Sequence, residues 1–533
     1  MASEAASSGP GEPAPSLQAA VRPALLLSCA LFLLCLWARG RPRRPRRSPP
    51  GPFAWPLLGN VLQLGRLPHL TFCELARRYG DVFQLRLGRR AVVVLNGEAA
   101  IRQALVRQGG HFAGRPDFPS FRLVSGGRSV AFGPYSAQWR AQRRLAHLCL
   151  RAFSTADGRS RRTFEQHVVA EARELTRVLA RRGEGGAYFD PCPLFTVANA
   201  NVICALCFGQ RYGHEDSEFR ALLGRNDRFG QTVGAGSLVD VLPWLQAFPN
   251  PVRRVFRDFQ ALNRELHDFV KAKVAQHRRT YDPRLTRDIS DAVLGRIEQA
   301  EGLSREHVDG TLTDIFGAGQ DTTSTALCWV LLLLLKHPHL QRRLRAELDS
   351  VVGRARLPTA EDRRCLPYLE AFIYETLRFS SFVPVTIPHA TTADVVLRGF
   401  CIPKDTVVFV NQWSVNHDRS KWKDPHLFDP ARFLDAEHKL DRDLACGVMI
   451  FSLGQRRCIG DQLAKLQLFL FTAILLHQCT FEANPAERLT MDCVHGLALK
   501  PMPFTVSVKM RDLELLASLF ASLESQLPAI FSF

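Results

Sequence analysis

Residues Phe451–Gly460 read FSLGQRRCIG, and no other stretch restricts so narrowly what this chain can become. One cysteine, Cys458, stands between Gly454 and Gly460, with Arg456 and Arg457 directly before it. Glycines let a backbone turn sharply and approach a large flat object closely. Backbone N–H groups and neighbouring cations favour thiolate over thiol. The apolar helical run Gln462–Gln478 (QLAKLQLFLFTAILLHQ) gives the loop a rigid support. A lone cysteine in a loop is ordinarily a buried core filler. The four specialised positions around this one argue against that reading.

A thiolate held on such a loop suits an axial ligand to haem iron, where it pushes electron density that favours O–O cleavage. The decapeptide resembles, at every fixed position, the pattern F-x-x-G-x-R-x-C-x-G of the haem-thiolate monooxygenases, the cytochrome P-450 family. The resemblance implies haem b ligated by Cys458, with Phe451 and Arg456 beside the cofactor. It also implies dioxygen as co-substrate and electrons from NADPH through a separate flavoprotein.

The composition allows a large core, with 46% hydrophobic residues among 533. The net charge of +18 suits nucleic acid, an anionic membrane surface or an acidic partner. No nucleic-acid motif accompanies it, so the membrane and a protein partner are expected instead. The fourteen cysteines show neither a paired framework nor zinc spacing. Cys204 and Cys207 form a C-x-x-C inside the apolar segment NVICALCFG, where buried structural thiols are expected rather than a redox or metal pair.

Residues 1–16 are expected to form a lumenal segment. Leu17–Trp37 is apolar with Arg22 its one charge, and as a helix it rises about 31 Å, enough to cross a bilayer. Six arginines between Arg39 and Arg47 follow it, so the flank stays cytosolic. The expectation is a signal anchor holding the body on the cytosolic face of the endoplasmic reticulum. A mitochondrial presequence is the lesser alternative, weakened by Glu4 and Glu12. A basic and proline-rich linker (38–60), one catalytic domain (61–510) and a C-terminal tail (511–533) without assigned function complete the expected organisation.

Within the body, Val82–Leu87 and Ala91–Leu95 read as a hairpin joined by Gly88–Arg90, with short strands near Thr406–Asn411 and the C-terminus. Helical patterns dominate elsewhere. The fold class is mainly α with a small β subdomain, organised on a long central helix, Ser304–His337. At its middle, AGQDTT carries Ala318, Asp321 and Thr322, with Gly317 just before it. This matches the family pattern A/G-G-x-D/E-T-T/S, which implies a kinked helix over the haem, Thr322 steering protons during turnover and Asp321 linking it to solvent. Trp139 and Arg143 lie four apart and share a helix face. The resemblance assigns them to the haem propionates, along with His389, Arg456 and, less directly, Arg128. Glu375 and Arg378 share a helix face, and with Arg432 they match the family's buried Glu–Arg–Arg network, assigned to folding and haem retention.

The resemblance is closest to animal family one, subfamily B, through GAGSLVDVLPWLQAFPNPVR, RFSSFVPVTIPHATT and IPKDTVVFVNQWSVNHD. It implies polycyclic aromatic hydrocarbons, oestrogens and retinoids as substrates in a narrow, flat cavity. The matching positions are Phe132, Asn226, Phe229, Asp314, Gly317, Ala318, Val383 and Leu497. Phenylalanine faces opposed to small residues make a slot for a planar ring system, and Asn226 or Asp314 could hold one polar substituent. Implied partners are an NADPH-dependent flavin reductase, cytochrome b5, membrane lipid and a hydrophobic small molecule, with no nucleic acid. The apolar, proline-broken segment Phe229–Phe256 is either a packed loop or a second membrane contact. Two rival functions are a haem-thiolate isomerase or dehydratase, which typically departs from the Asp–Thr pattern, and a non-enzymatic membrane haem sensor.

Overall fold

The computed structural model describes residues 47–154, 158–232, 238–297, 300 and 302–511, with the backbone alone at 159, 225–228 and 231. The expected anchor at 17–37, the lumenal segment before it, the linker up to residue 46 and the tail from 512 lie outside the described residues. The longer helices are α1 (Pro68–Tyr79), α2 (Ala137–Ser154), α3 (Arg159–Arg182), α4 (Cys192–Phe208), α5 (Ser217–Thr232) and α6 (Pro251–Arg279). They continue with α7 (Ile289–Ile297), α8 (Arg305–Lys336), α9 (Pro338–Val351), α10 (Pro367–Ser380) and α11 (Asp461–Gln478). Short strands complete the mainly α fold.

Helix α8 is the axis. Its start is fixed by a capping box in which the Ser304 N–H donates to His307 Nδ1 at 3.0 Å, and Pro338 begins the next helix beyond it. It is long and apolar enough to cross a membrane, yet 78% of that stretch is buried inside the protein. Such a helix, apolar on nearly every side, belongs in a core. Helix α4 is the same kind of element and packs against it. A Cβ on Gly319 would stand 3.0 Å from Ile203 Cδ1, so a small residue is needed where these helices meet. Asn199 of α4 donates to the carbonyls of Gly319 and Gln320 at 2.9 and 2.5 Å. The kink expected here is absent as a break: α8 runs continuously, and Asn199 supplies extra donors to the middle of its ladder. Cys204 and Cys207 are buried in α4 and burial pushes both thiols up, as structural cysteines require.

The β subdomain is a four-stranded sheet of β1 (Val82–Leu87), β2 (Arg90–Leu95), β3 (His389–Ala390) and β4 (Val407–Val410), in the order β1-β2-β4-β3. The first pair is the expected hairpin, beginning its second strand one residue earlier than the pattern suggests. Gly88 at its turn has φ 59°, and a Cβ there would meet the Val241 carbonyl oxygen at 2.5 Å. Strands β2 and β4 pair in parallel across more than three hundred residues. Further on, β5 (Cys479–Ala483) pairs with β8 (Val506–Met510), and β6 (Cys493–Val494) with β7 (Lys500–Pro501).

Two buried ionic clusters hold the helices. In the first, Glu375 receives Arg378 Nε and Nη2 at 2.7 and 2.8 Å and Arg432 Nε at 3.1 Å. Arg378 also donates to the carbonyls of Asn416 and Pro425, and Arg432 to that of Lys423, so the network ties α10 to the irregular segment before the cysteine loop. In the second, His277 at the end of α6 lies 2.9 Å from Asp288 and 3.1 Å from Asp291, which also pairs with Arg287 at 2.7 Å. Burial opposes charging His277, but hydrogen bonds and charge from Asp288 and Asp291 outweigh it and raise its pKa to about 9.

Because the folded pKa of His277 lies above its ordinary value, its contribution to stability is full below about pH 6.5 and is lost as pH rises through about 9. The midpoint of thermal unfolding is expected to fall across that window. In His277→Gln the same window should be flatter, and an unchanged slope would show that the cluster carries no such linkage.

Candidate active site

The loop that presents Cys458 is closed on itself, its N–H donating to the Phe451 carbonyl at 2.8 Å. Ser452 and Gly454 adopt left-handed backbone, with φ 59° and 70°. A Cβ on Gly454 would lie 1.9 Å from the Leu105 carbonyl oxygen, so glycine alone fits. Arg457 pairs with Asp461 at 2.5 Å across the start of α11. The Cys458 side chain keeps an exposed face within crowded surroundings. Burial pushes its thiol up, while the Gly460 N–H, Arg143 and Arg457 pull it down. The amide and the cations favour the thiolate, as expected from the sequence, and burial opposes them. A metal ion coordinated by the sulfur removes the proton outright.

Beside this loop the structure gathers cations. Arg456 is buried, with its guanidinium 3.7 Å above the Trp139 ring. It donates to the carbonyls of Ala113, Val130 and Gly133 at 2.8, 3.2 and 2.8 Å. Arg115 donates to Ala131, Ile387 and Pro388, and Arg143 donates to the Arg457 carbonyl. Burial, reinforced by the neighbouring arginines, pushes Arg456 down to about 7 and Arg115 to about 9. His389, held by Phe112 O at 2.8 Å through Nδ1, is pushed well down by burial and by Arg115. Among the described residues no carboxylate pairs with any of the three arginines. Guanidinium does not give up its proton in proteins, so the site is short of negative charge.

This donor set fits the two carboxylates of a haem placed against Cys458. Each guanidinium has five N–H donors and keeps some unused, and His389 keeps Nε2. Two expectations change. The Trp139 indole N–H donates to Val130 O at 2.8 Å, so the residue's offering is its ring beneath Arg456. Arg128 does not join the cluster: it pairs at the surface with Glu306 at 3.0 Å, half exposed. Arg115 was missed because no local motif marks it; its three acceptors come from two distant segments.

On the buried middle of α8 a stripe remains accessible, formed by Asp314, Gly317, Ala318, Asp321 and Thr322 at helical spacing. The Thr322 hydroxyl donates to Ala318 O at 2.8 Å, which leaves its oxygen able to accept. Asp314 is not available to a ligand. Its carboxylate accepts from Ser125 and Ser129 hydroxyls and from the N–H groups of Val130 and Ala131, at 2.5 and 3.0 Å for the latter two. It pins the segment that carries Phe132.

From Phe132 a row of aromatic rings extends along the stripe. Phe121 stands 4.9 Å from Phe132, Phe229 6.1 Å from it, and Phe259 5.4 Å from Phe229, between ring centres. The inner ring Phe132 adjoins α8 through Asp314, which accepts from Val130 and Ala131 just before it. Beside the other inner ring, Phe229, Gly230 lies so that a Cβ would be 4.0 Å from Asp321 Oδ2. Leu497 joins there, its N–H donating to Gly230 O at 2.6 Å. Val383 is held by Gln412 through its carbonyl at 2.9 Å. Phe121 and Phe259 were not legible as members, being ordinary core residues by pattern. The side chain of Asn226 lies outside the described residues.

Such a cysteine loop, cation cluster and small-residue stripe on a central helix define a haem-thiolate site. The Cytochrome P450 family model matches residues 49–508, and the chain belongs to that family. It is a haem-thiolate monooxygenase of xenobiotics, using haem b, dioxygen and NADPH-derived electrons delivered by a reductase. Cytochrome P450 1B1 of Homo sapiens is 57% identical over 499 residues, covering 92% of both chains. The same protein of Mus musculus is 56% identical over 506 residues, covering 93% of this chain and 92% of its own. Cytochrome P450 1A1 of Macaca fascicularis is 43% identical over 490 residues, covering 89% and 95%.

Proposed function

We propose that this monooxygenase oxidises flat, hydrophobic fused-ring molecules: polycyclic aromatic hydrocarbons, oestrogens and retinoids. The observation that carries this reading is the row Phe121–Phe132–Phe229–Phe259, whose two inner rings stand on segments that adjoin the accessible stripe of α8, that of Phe132 bonded to Asp314 and that of Phe229 beside Asp321. Aromatic faces beside Gly317 and Ala318 favour a thin substrate and exclude a thick one. Val383 and Leu497 line the same slot, Asn226 is the candidate for one polar contact, and Asp314 acts by holding Phe132 in place.

In this reading Cys458 is the thiolate ligand of the haem. Arg115, Arg143, Arg456 and His389 hold its propionates, with Trp139 as the platform for Arg456. When bound, the thiolate-ligated haem supplies activation of dioxygen and insertion of one oxygen atom into a C–H bond or aromatic ring. The chain's own work is to exclude water from the slot, orient the ring system and move protons. Asp321 takes protons from the solvent side, and Thr322 steers them inward: with its hydrogen held by Ala318 O, its oxygen is left to accept a hydrogen bond from the group that carries the proton. A flavin reductase that takes electrons from NADPH, with cytochrome b5 as a second donor, docks on the basic body.

The chain is held at the cytosolic face of the endoplasmic reticulum by an anchor at 17–37. Exposed apolar side chains support a second contact with lipid. Phe53, Trp55 and Leu57 belong to the proline-rich lead, and Leu238, Trp244 and Phe248 to the segment before α6. Both segments meet at the β1–β2 turn, where Gly88 donates to Leu58 O and abuts Val241.

Two outcomes are expected. In reconstitution with reductase, a planar tetracyclic aromatic should drive NADPH consumption and product formation, and Thr322→Ala should lower product per NADPH by roughly 10²-fold at most while peroxide rises. A ratio equal to wild type would make Thr322 structural. Removal of Met1–Arg47 combined with Trp244→Ser and Phe248→Ser should shift the protein to the soluble fraction with its haem content intact. Retention on vesicles by that variant would contradict the lipid-facing assignment.

A further inference from the structure

We propose that Lys500 is a positioning residue of the proton route, its ammonium holding the Asp321 carboxylate on the solvent side of Thr322. The proposal rests on the route through Asp321 and Thr322 argued above. Lys500 Nζ lies 2.7 Å from Asp321 Oδ1, with the lysine side chain 32% and the aspartate 18% exposed. The pair therefore sits at the border between solvent and the stripe of α8, where an ion pair is screened less than at the open surface.

The lysine has little freedom to be elsewhere. It starts β7, and the turn just before it is tied to three different elements. Leu497 N–H donates to Gly230 O of α5 at 2.6 Å. Leu499 N–H donates to Phe382 O at 2.7 Å, and Leu499 O accepts from Trp329 Nε1 of α8 at 2.8 Å. Gly496 is packed too, since a Cβ there would stand 3.2 Å from Gly230 O. The backbone thus delivers the ammonium to Asp321 with its stem already aimed. The same turn carries Leu497, which lines the proposed slot. Substrate pressing on Leu497 and the ion pair at Lys500 are separated by three residues of one tethered turn, so slot occupancy and the direction of the Asp321 carboxylate are mechanically linked.

A lysine suits this task for a chemical reason. Its ammonium is a compact charge with three rotatable donors, so it can hold one carboxylate oxygen while the other stays available for a proton from water. A neutral side chain would leave the carboxylate free to swing away from Thr322. The cost should fall on coupling rather than on substrate affinity.

The test compares Lys500→Met, Lys500→Arg and Asp321→Asn in the full-length protein reconstituted with reductase and a planar aromatic substrate. Each variant must first give the wild-type carbon-monoxide difference spectrum. Lys500→Met is expected to lower product per NADPH by about tenfold, below the roughly 10²–10⁴-fold of losing a general acid outright. KM should be unchanged, and the pH profile of the ratio should move. Lys500→Arg should recover most of the loss. If Asp321→Asn uncouples while Lys500→Met matches wild type, Lys500 has no part in the route. An arginine variant as poor as the methionine one also overturns the proposal. If Asp321→Asn itself matches wild type, the proton route fails and the proposal falls with it.

Discussion

Among the described residues, three guanidinium groups gathered without a carboxylate among them, Arg456 buried and Arg115 and Arg143 half-buried, are the constraint on which this structure depends. Arg115, Arg143 and Arg456 repel one another, and burial amplifies the repulsion because the interior screens charge poorly. The protein offsets part of this with backbone carbonyls: Ala113, Val130, Ala131, Gly133, Ile387, Pro388 and Arg457 each accept from one of the three. Carbonyl dipoles supply partial charge only. A dianion such as the two propionates of haem would complete the balance, and would then join chain segments some three hundred residues apart.

In the proposed site, the segment from 125 to 133 would make cofactor edge and substrate wall one object. Its carbonyls face the cations Arg115 and Arg456 and the indole of Trp139, and its N–H groups face Asp314 on α8. Phe132 sits at the end of this doubly bonded strip. Burial raises the Asp314 carboxyl while the hydroxyls of Ser125 and Ser129 and the N–H groups of Val130 and Ala131 oppose that rise. On the proposed function, loss of cofactor and distortion of the slot would therefore be coupled through a few backbone amides.

Where the chemistry is local, the sequence was sufficient. The loop at 451–460, the limits of α8, the pairing of Trp139 with Arg143 and the first hairpin all depend on residues a few positions apart, and each lies where spacing suggests. Glu375, Arg378 and Arg432 come together as their motifs imply, with Arg432 reaching back to Glu375 at 3.1 Å. What depends on distant partners was not legible. The parallel pairing of β2 with β4, the three acceptors of Arg115, and the ion pair of Lys500 with Asp321 leave no local pattern. Arg128 and Asp314 mislead for the converse reason: each bears a suitable charge, and tertiary structure has given it another partner.

On the proposed function, this gathered positive charge serves the two carboxylates of the cofactor. The most direct measurement is the affinity of the apoprotein for haem b against haem whose propionates are esterified, followed by absorbance in wild type and in Arg115→Met. The account predicts that esterification weakens binding to wild type by at least tenfold, about 1.4 kcal/mol, and weakens binding to Arg115→Met by clearly less. Equal affinity of wild type for haem b and its diester would contradict it.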